Sequence, residues 1–450
     1  MKYVSTRGES SAVSFGEALT QGLAPDGGLY VPEHWPAIPL SAFDGASELA
    51  DVANIILRPF AEGDAIAAEI ADITRDAFNF PAPLVPVSSD GRLSVLELFH
   101  GPTAAFKDFG ARFLAACVAR IRAHKDEGRL RAGAARPLNI LVATSGDTGG
   151  AVAAAFHRRP GVGVSVLFPK GLVSPTQERQ LTCWGDNVHS FRVSGTFDDC
   201  QRLVKAAFVD AGLRARFALS SANSINLGRL LPQAVYYAAT SLAVFRQHGV
   251  APDFVIPSGN LGNSVACVWA RKLGLPIGRI VLAHNENRTV PDFVETGVWQ
   301  PRASIPTLAS AMDVGTPSNM ERLRALFPDI EAVRGAVRAC SVTDAEIRAR
   351  ISADFQQYKG QYGKPWCPHT ATAAEIYARM SARNRESRRW IIVSTAHPAK
   401  FREIVEPLIG QRIEMPESLA KLFSRPVSAS DLQPDLAALT AALETTVSKI

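Results

Sequence analysis

Residues 138–156 read LNILVATSGDTGGAVAAAF. The opening run, Leu138 to Ala143, is short, apolar and rich in Leu, Ile and Val, which suits a strand buried on both faces. Thr144 to Gly150 crowds small polar residues and glycines into a loop. AVAAAFHRR then has the composition of a helix. The unit is strand, small polar loop, helix, and its neighbours repeat it.

Toward the C-terminus VGVSVLF (162–168) is the next strand, PTQERQLTCWG the next helix, and VHSFRVSG with FDDCQRLVKAAF the unit after that. Farther on, PDFVIP leads through SGNLGN into SVACVWARKLG and then IGRIVLAHN, and RWIIVST leads through AHPAK into FREIVEPLIG. Short Val- and Ile-rich runs alternating with helical segments predict parallel sheets with helices on both faces, an α/β doubly wound architecture. The first ninety or so residues differ. They hold a turn-rich GLAPDGGLYVPEHWP, a helical stretch around Ser47 to Phe78 and a Pro-rich connector, NFPAPLVPVSSDG, and so predict a small N-terminal domain. LQPDLAALTAALETTVSKI is expected to be one closing amphipathic helix.

At 450 residues the chain calls for two or three domains. With 47% hydrophobic and 20% charged residues it has the make-up of a globular chain. There is no apolar run long enough to span a membrane and no apolar core of a leader in MKYVSTRGESSAVSF, so neither a membrane partner nor export is expected. A net charge of +5 without a basic stripe argues against nucleic acid. The six cysteines are scattered and the nine histidines form no H-x-x-x-H pair. Reduced thiols in a cytoplasmic enzyme, without a metal, are therefore expected.

Ligands of open parallel sheets sit beyond the carboxyl ends of the strands. Three loops fall there: TSGDTGG (Thr144 to Gly150), PSGNLGN (Pro257 to Asn263) and STAHPAK (Ser394 to Lys400). PSGNLGN can wrap a phosphate with backbone N–H groups at a helix N-terminus, although glycine there can serve the turn alone. It lacks the Lys-Ser/Thr of a nucleotide loop and the spacing of a dinucleotide fingerprint. In TSGDTGG, Asp147 can meet a ligand or act as a helix N-cap. HGPTAAFKDFG (100–110) sets Lys107 between Phe106 and Phe109. A lysine in such company can lose water, lower its pKa and form a covalent bond to a carbonyl. Asp108 reads as a surface or capping carboxylate.

HGPTAAFKDFG, ATSGDTGGAV, SANSINLGRLLPQ, PSGNLGN and STAHPAKF, in this order, resemble the motifs of the threonine synthases, and YVSTRG with LAPDGGLYVP resembles the N-terminal pattern of their long form. The resemblance covers nearly the whole chain. It implies a fold-type II (tryptophan synthase β-like) pyridoxal-phosphate enzyme with two parallel-sheet domains and a small N-terminal one. The expected division is 1–92 for the N-terminal domain, 93–136 with 227–430 for the large cofactor domain, 137–226 for a small mobile substrate domain, and 431–450 for a C-terminal helix.

By the same resemblance, Lys107 is the catalytic lysine that carries pyridoxal 5'-phosphate. Gly259, Asn260, Leu261, Gly262 and Asn263 are expected to hold the cofactor phosphate, and Thr395 to stand at the pyridine nitrogen. Thr144, Ser145, Gly146, Asp147 and Thr148 are expected to meet the substrate, and Ser224, Asn226 and Arg229 its phosphate. Related enzymes often carry Asn at Asp147, near the cofactor's phenolic oxygen. An Asp would be repelled there, so that contact is not given to Asp147. Asn285 is an open candidate, and His100 and His397 read as structural. The implied reaction takes O-phospho-L-homoserine and water to L-threonine and inorganic phosphate, in a monomer or homodimer. A dehydratase on the same fold and a non-catalytic paralogue are the rival readings.

Overall fold

A computed structural model describes residues 1–129 and 137–447. Residues 130–136 of the expected large domain and 448–450 of the expected terminal helix lie outside the described residues. Among the described residues the strands in chain order are β1 (Tyr3–Ser5), β2 (Tyr30–Pro32), β3 (Leu84–Pro86), β4 (Leu93–Glu97), β5 (Leu138–Ala143), β6 (Val162–Pro169), β7 (Val188–Val193), β8 (Ala218–Ser220), β9 (Asp253–Pro257), β10 (Ile280–His284), β11 (Arg338–Ser341), β12 (Trp390–Ser394) and β13 (Ser430–Leu432).

Apart from the β1–β2 ribbon they form two sheets, ordered β11-β10-β9-β12-β4-β3 and β13-β7-β6-β5-β8. Every pairing in these sheets is parallel except β3 with β4. Every residue of β4, β5, β6, β9, β10 and β12 is buried, as their continuous apolar runs require. Both α/β sheets therefore follow the sequence reading.

The strand order positions the site. The neighbours β9, β12 and β4 are far apart in sequence, yet adjacent strands lie only about 4.8 Å apart. The loops that follow them are PSGNLGN, STAHPAK and HGPTAAFK, so three distant motifs emerge side by side. In the second sheet β5 lies between β6 and β8, bringing TSGDTGG beside the SINLGR segment after β8.

Three details depart from expectation. β3 falls within 1–92 but extends the larger sheet, because its backbone groups find partners on the open edge of β4. The C-terminal stretch is not helix alone: β13 pairs with β7, and the helix begins only at Leu436. Leu432, Leu439 and Leu443 bury together against the second sheet, each contributing about 2 kcal/mol. Finally, the helix after β5 already starts at Asp147, taking half of TSGDTGG into its first turn.

Candidate active site

The segment before Lys107 is clamped from both sides. Thr103 donates from its N–H and Oγ1 to the two Asp108 carboxylate oxygens at 2.8 and 2.6 Å. Asp108 is thus buried and ties the loop to the first turn of its helix, neither on the surface nor at a cap as the sequence suggested. Ala104 takes a left-handed φ of 53°, uncommon outside glycine. Phe106 N–H donates to Thr395 O at 2.9 Å, and His397 N–H to Ala104 O at 3.0 Å. Lys107 then opens the helix Lys107–Arg129. A side chain at Gly110 would run into the Arg229 carbonyl, so this glycine lets the Arg229 turn lie against the lysine's helix.

Lys107 is half-buried. Loss of water is the largest influence on its amine, Lys400 and Arg229 act in the same sense, and Asp147 opposes them. The amine falls from 10.5 to about 8. The desolvation inferred from its aromatic neighbours is present.

PSGNLGN turns from β9 into the helix Gly262–Lys272. Leu261, just ahead of that helix, has a left-handed φ of 63°, a cost of roughly 1–2 kcal/mol that suits a loop shaped for a ligand. Asn263 Oδ1 lies 2.6 and 2.8 Å from the Tyr236 and Tyr237 hydroxyls, while its buried Nδ2 has no partner among the described residues. Asn260 braces the loop: Nδ2 donates to Ser224 Oγ at 2.6 Å, and Oδ1 accepts from Ser318 N–H.

In TSGDTGG, Thr144 Oγ1 accepts from the N–H groups of Gly146 and Gly149 at 3.0 and 2.9 Å, which commits that hydroxyl to the loop. Gly146, at φ 141°, lies so close to Gln177 that a Cβ would approach its amide to 2.5 Å. Gln177 is itself set by a capping box with Ser174 and donates to Asp147 Oδ1 at 3.2 Å. Ser145 and Thr148 are half-buried. Gly146, not Asp147, is the N-cap. Asp147 is buried and ion-paired with fully buried Lys400 at 2.8 Å. Burial alone would raise its pKa, but Lys400, Lys107 and His369 overcome that and hold the carboxyl far below its ordinary range.

The SINLGR residues separate in role. Arg229 is buried rather than a surface arginine: one terminal nitrogen donates to Ala222 O, and Nε has no partner among the described residues. Burial, partly offset by Asp108, pulls its guanidinium down to about 10. Asn226 departs from expectation. Its Oδ1 caps Gly228 N–H, and its Nδ2 donates to Leu19 O and Ser221 O, all at 2.9 Å. With the amide spent on the turn, the expected phosphate contact is withdrawn. Ser224 is held through Oγ by Asn260 and through its carbonyl by Asn319 and Arg322.

Asn285 is also structural: Nδ2 reaches Thr307 Oγ1 and Asp313 Oδ1 at 2.8 and 2.7 Å, and Oδ1 accepts twice from Asn287. His100 pairs with buried Glu97 at 2.7 Å, and His397 Nδ1 accepts from Ala399 N–H. The sequence reading missed Lys400, although it stands in STAHPAK, and His369, which no motif marked. His369 Nε2 accepts from Ala311 N–H at 3.1 Å, which leaves the proton on Nδ1, a buried atom without a partner among the described residues. Burial, ahead of the nearby charges, lowers this imidazole to about 4.

Comparison with known proteins adds an independent line. Residues 78–396 match the family described as pyridoxal-phosphate dependent enzyme, 2–78 the threonine synthase N terminus, and 370–443 the C-terminal region of threonine synthase. Threonine synthase of Escherichia coli K12 is 38% identical over 442 residues, 98% of each chain. The chain belongs to the threonine synthase family. The yeast threonine synthase crystal structure matches with a TM-score of 0.90 at 30% identity, covering 100% of this chain and 99% of the other. The pyridoxal-phosphate-bound threonine synthase of Brucella melitensis matches at 0.87 and 33%, with the same coverage.

The residues fit the cofactor of the threonine synthases. The amine brought to about 8 and the glycine loop follow strands of one sheet, and at that loop's helix N-terminus a buried amide nitrogen lacks a partner among the described residues.

Proposed function

We propose that this chain converts O-phospho-L-homoserine and water to L-threonine and inorganic phosphate, the closing step of threonine biosynthesis, with Lys107 as the catalytic lysine. The observation that carries the substrate assignment is Arg229: a buried guanidinium with Nε unpartnered, close enough to Lys107 to act on its charge. A buried cation with no ion-paired carboxylate among the described residues fits an anionic group on the substrate. A dehydratase acting on serine or threonine has no use for it.

Pyridoxal phosphate, when bound, supplies the electron sink that lets protons leave the carbons beside the substrate's amino group. Gly259 to Asn263 hold its phosphate, and Thr395 offers the ring nitrogen a neutral hydroxyl. Ser145, Thr148 and the N–H groups of the first helical turn receive the substrate carboxylate. Arg229 and the Ser224 turn receive its phosphate. Near neutral pH, Lys107 Nζ is close enough to its pKa both to take a proton and to return one. One α- and one β-proton are taken, and phosphate leaves the γ-carbon with the C–O electron pair. Protons return to the γ- and α-carbons, and water gives hydroxide to the β-carbon and its other proton to the phosphate. The six free cysteines accord with a cytoplasmic site of action.

The test is to supply O-phospho-L-homoserine to the cofactor-loaded enzyme and follow threonine, phosphate and 2-oxobutyrate. Threonine and phosphate should appear in equal amounts. Release of 2-oxobutyrate from threonine or serine without phosphohomoserine turnover would overturn the assignment.

A further inference from the structure

Lys400 is fully buried, and its Nζ has two partners: Asp147 Oδ1 at 2.8 Å and Thr103 O at 2.8 Å. Thr103 O also accepts from Gln180 Nε2 at 3.0 Å, and Gln177 Nε2 supports Asp147. The lysine therefore ties the TSGDTGG loop of one sheet to the segment that leads into Lys107 on the other. An isolated carboxylate in such a place is prohibitively costly, and an isolated ammonium equally so. Lys107 and His369 also favour the charged Asp147, but its ion pair among the described residues is with Lys400. Both charges act on Lys107, in opposite directions.

We propose that Lys400 is a positioning residue for the cofactor's lysine: by pairing with Asp147 it makes the aspartate of the TSGDTGG loop part of a neutral pair and so sets the field at Lys107 Nζ. This removes the objection to a carboxylate beside the cofactor, because the group presented is a carboxylate already matched by an ammonium. The other charges facing Lys107 are Arg229, from the turn Leu227–Leu230, and His369, from the helix Pro368–Ala378, with Asp108 adjacent on its own helix. His369 stays neutral at working pH, so it does not substitute for Lys400.

The inference rests on Lys107 being the cofactor's lysine. Its test uses the full chain freed of cofactor, with the reactivity of Lys107 toward trace acetic anhydride followed by mass spectrometry against pH. Lys400→Met leaves the pull of Asp147 unopposed and should move the Lys107 midpoint up by about one pH unit. Asp147→Asn leaves the push of Lys400 and should move it down by a similar amount. The double variant should return close to wild type. In the loaded enzyme, the pH at which the bound cofactor's absorbance changes should follow the same order.

If Lys400→Met fails to fold, rescue of folding by adding Asp147→Asn supports the pair, and Asp147→Asn alone still reads the sign. A midpoint unmoved by Asp147→Asn overturns the proposal, as does a double variant that stays displaced or unfolded. The labelling uses neither cofactor nor phosphohomoserine, so its failure would leave the reaction assignment standing.

Discussion

Phe106 donates its backbone N–H to the carbonyl of Thr395 at 2.9 Å, and the N–H of His397 returns to Ala104 at 3.0 Å. The residue before Lys107 and Thr395, the hydroxyl residue just after β12, are thereby locked together. Their strands, β4 and β12, are neighbours in register from Trp390 beside Leu93 to Ser394 beside Glu97. The proposed catalytic amine and the proposed partner of the ring nitrogen thus share one rigid frame, which is what precise placement requires.

Lys107→Ala should lower kcat by about 10³-fold or more, since it removes both the covalent anchor and the proton carrier. The absorbance band of covalently held cofactor should vanish in the same variant. Turnover near wild type would remove Lys107 from its role.

The amine of Lys107 is brought from 10.5 to about 8, so folding without cofactor releases its proton between those values. For a base with a lowered pKa the cost to stability is full below about 8 and disappears as pH rises past 10.5. Cofactor-free Lys107→Met should therefore be more stable than wild type at neutral pH, with the gap closing as the pH becomes alkaline. Urea unfolding at several pH values measures it, and a gap that widens with pH would refute the assigned sign.

Arg229→Lys keeps the charge but loses the planar fork, and Arg229→Met loses both. The methionine variant should lose about 2–3 kcal/mol of binding to phosphohomoserine, roughly 30- to 150-fold in kcat/KM, with the lysine variant between. Inhibition by inorganic phosphate should weaken in parallel. Equal phosphate inhibition in all three proteins would place the substrate phosphate elsewhere.

Asn226→Ala separates capping from binding. Its amide is spent on Gly228, Leu19 and Ser221, so the variant should lose about 1–2 kcal/mol of stability. Among folded molecules KM for phosphohomoserine should stay near wild type. A KM effect as large as that of Arg229→Met would restore Asn226 as a ligand.

Arg322 is fully buried and donates to the carbonyls of Tyr30, Ser224 and Ile225. Arg322→Met leaves these acceptors without a donor and should cost about 3 kcal/mol or more. The Ser224 turn and Asn260 share Asn319 with this arginine. Cofactor affinity should therefore fall along with the melting temperature, and a drop in melting temperature alone would confine Arg322 to a structural role.

By itself the sequence determined the parallel α/β architecture and the strand-end loops, because buried strands demand apolar runs and tight turns demand small residues. The resemblance of its ordered motifs to those of the threonine synthases singled out Lys107, the PSGNLGN loop and Thr395 as the proposed cofactor site. Only the tertiary structure decided what each polar side chain does with its hydrogen bonds. Asn226 and Arg229 stand three residues apart in one motif, yet one is consumed by a turn and the other keeps a buried nitrogen unpaired among the described residues. The Asp147–Lys400 pair was equally out of reach, since it joins loops from two sheets. Charge pairing and burial depend on distances between segments remote in sequence, and those distances come into being only when the sheets pack.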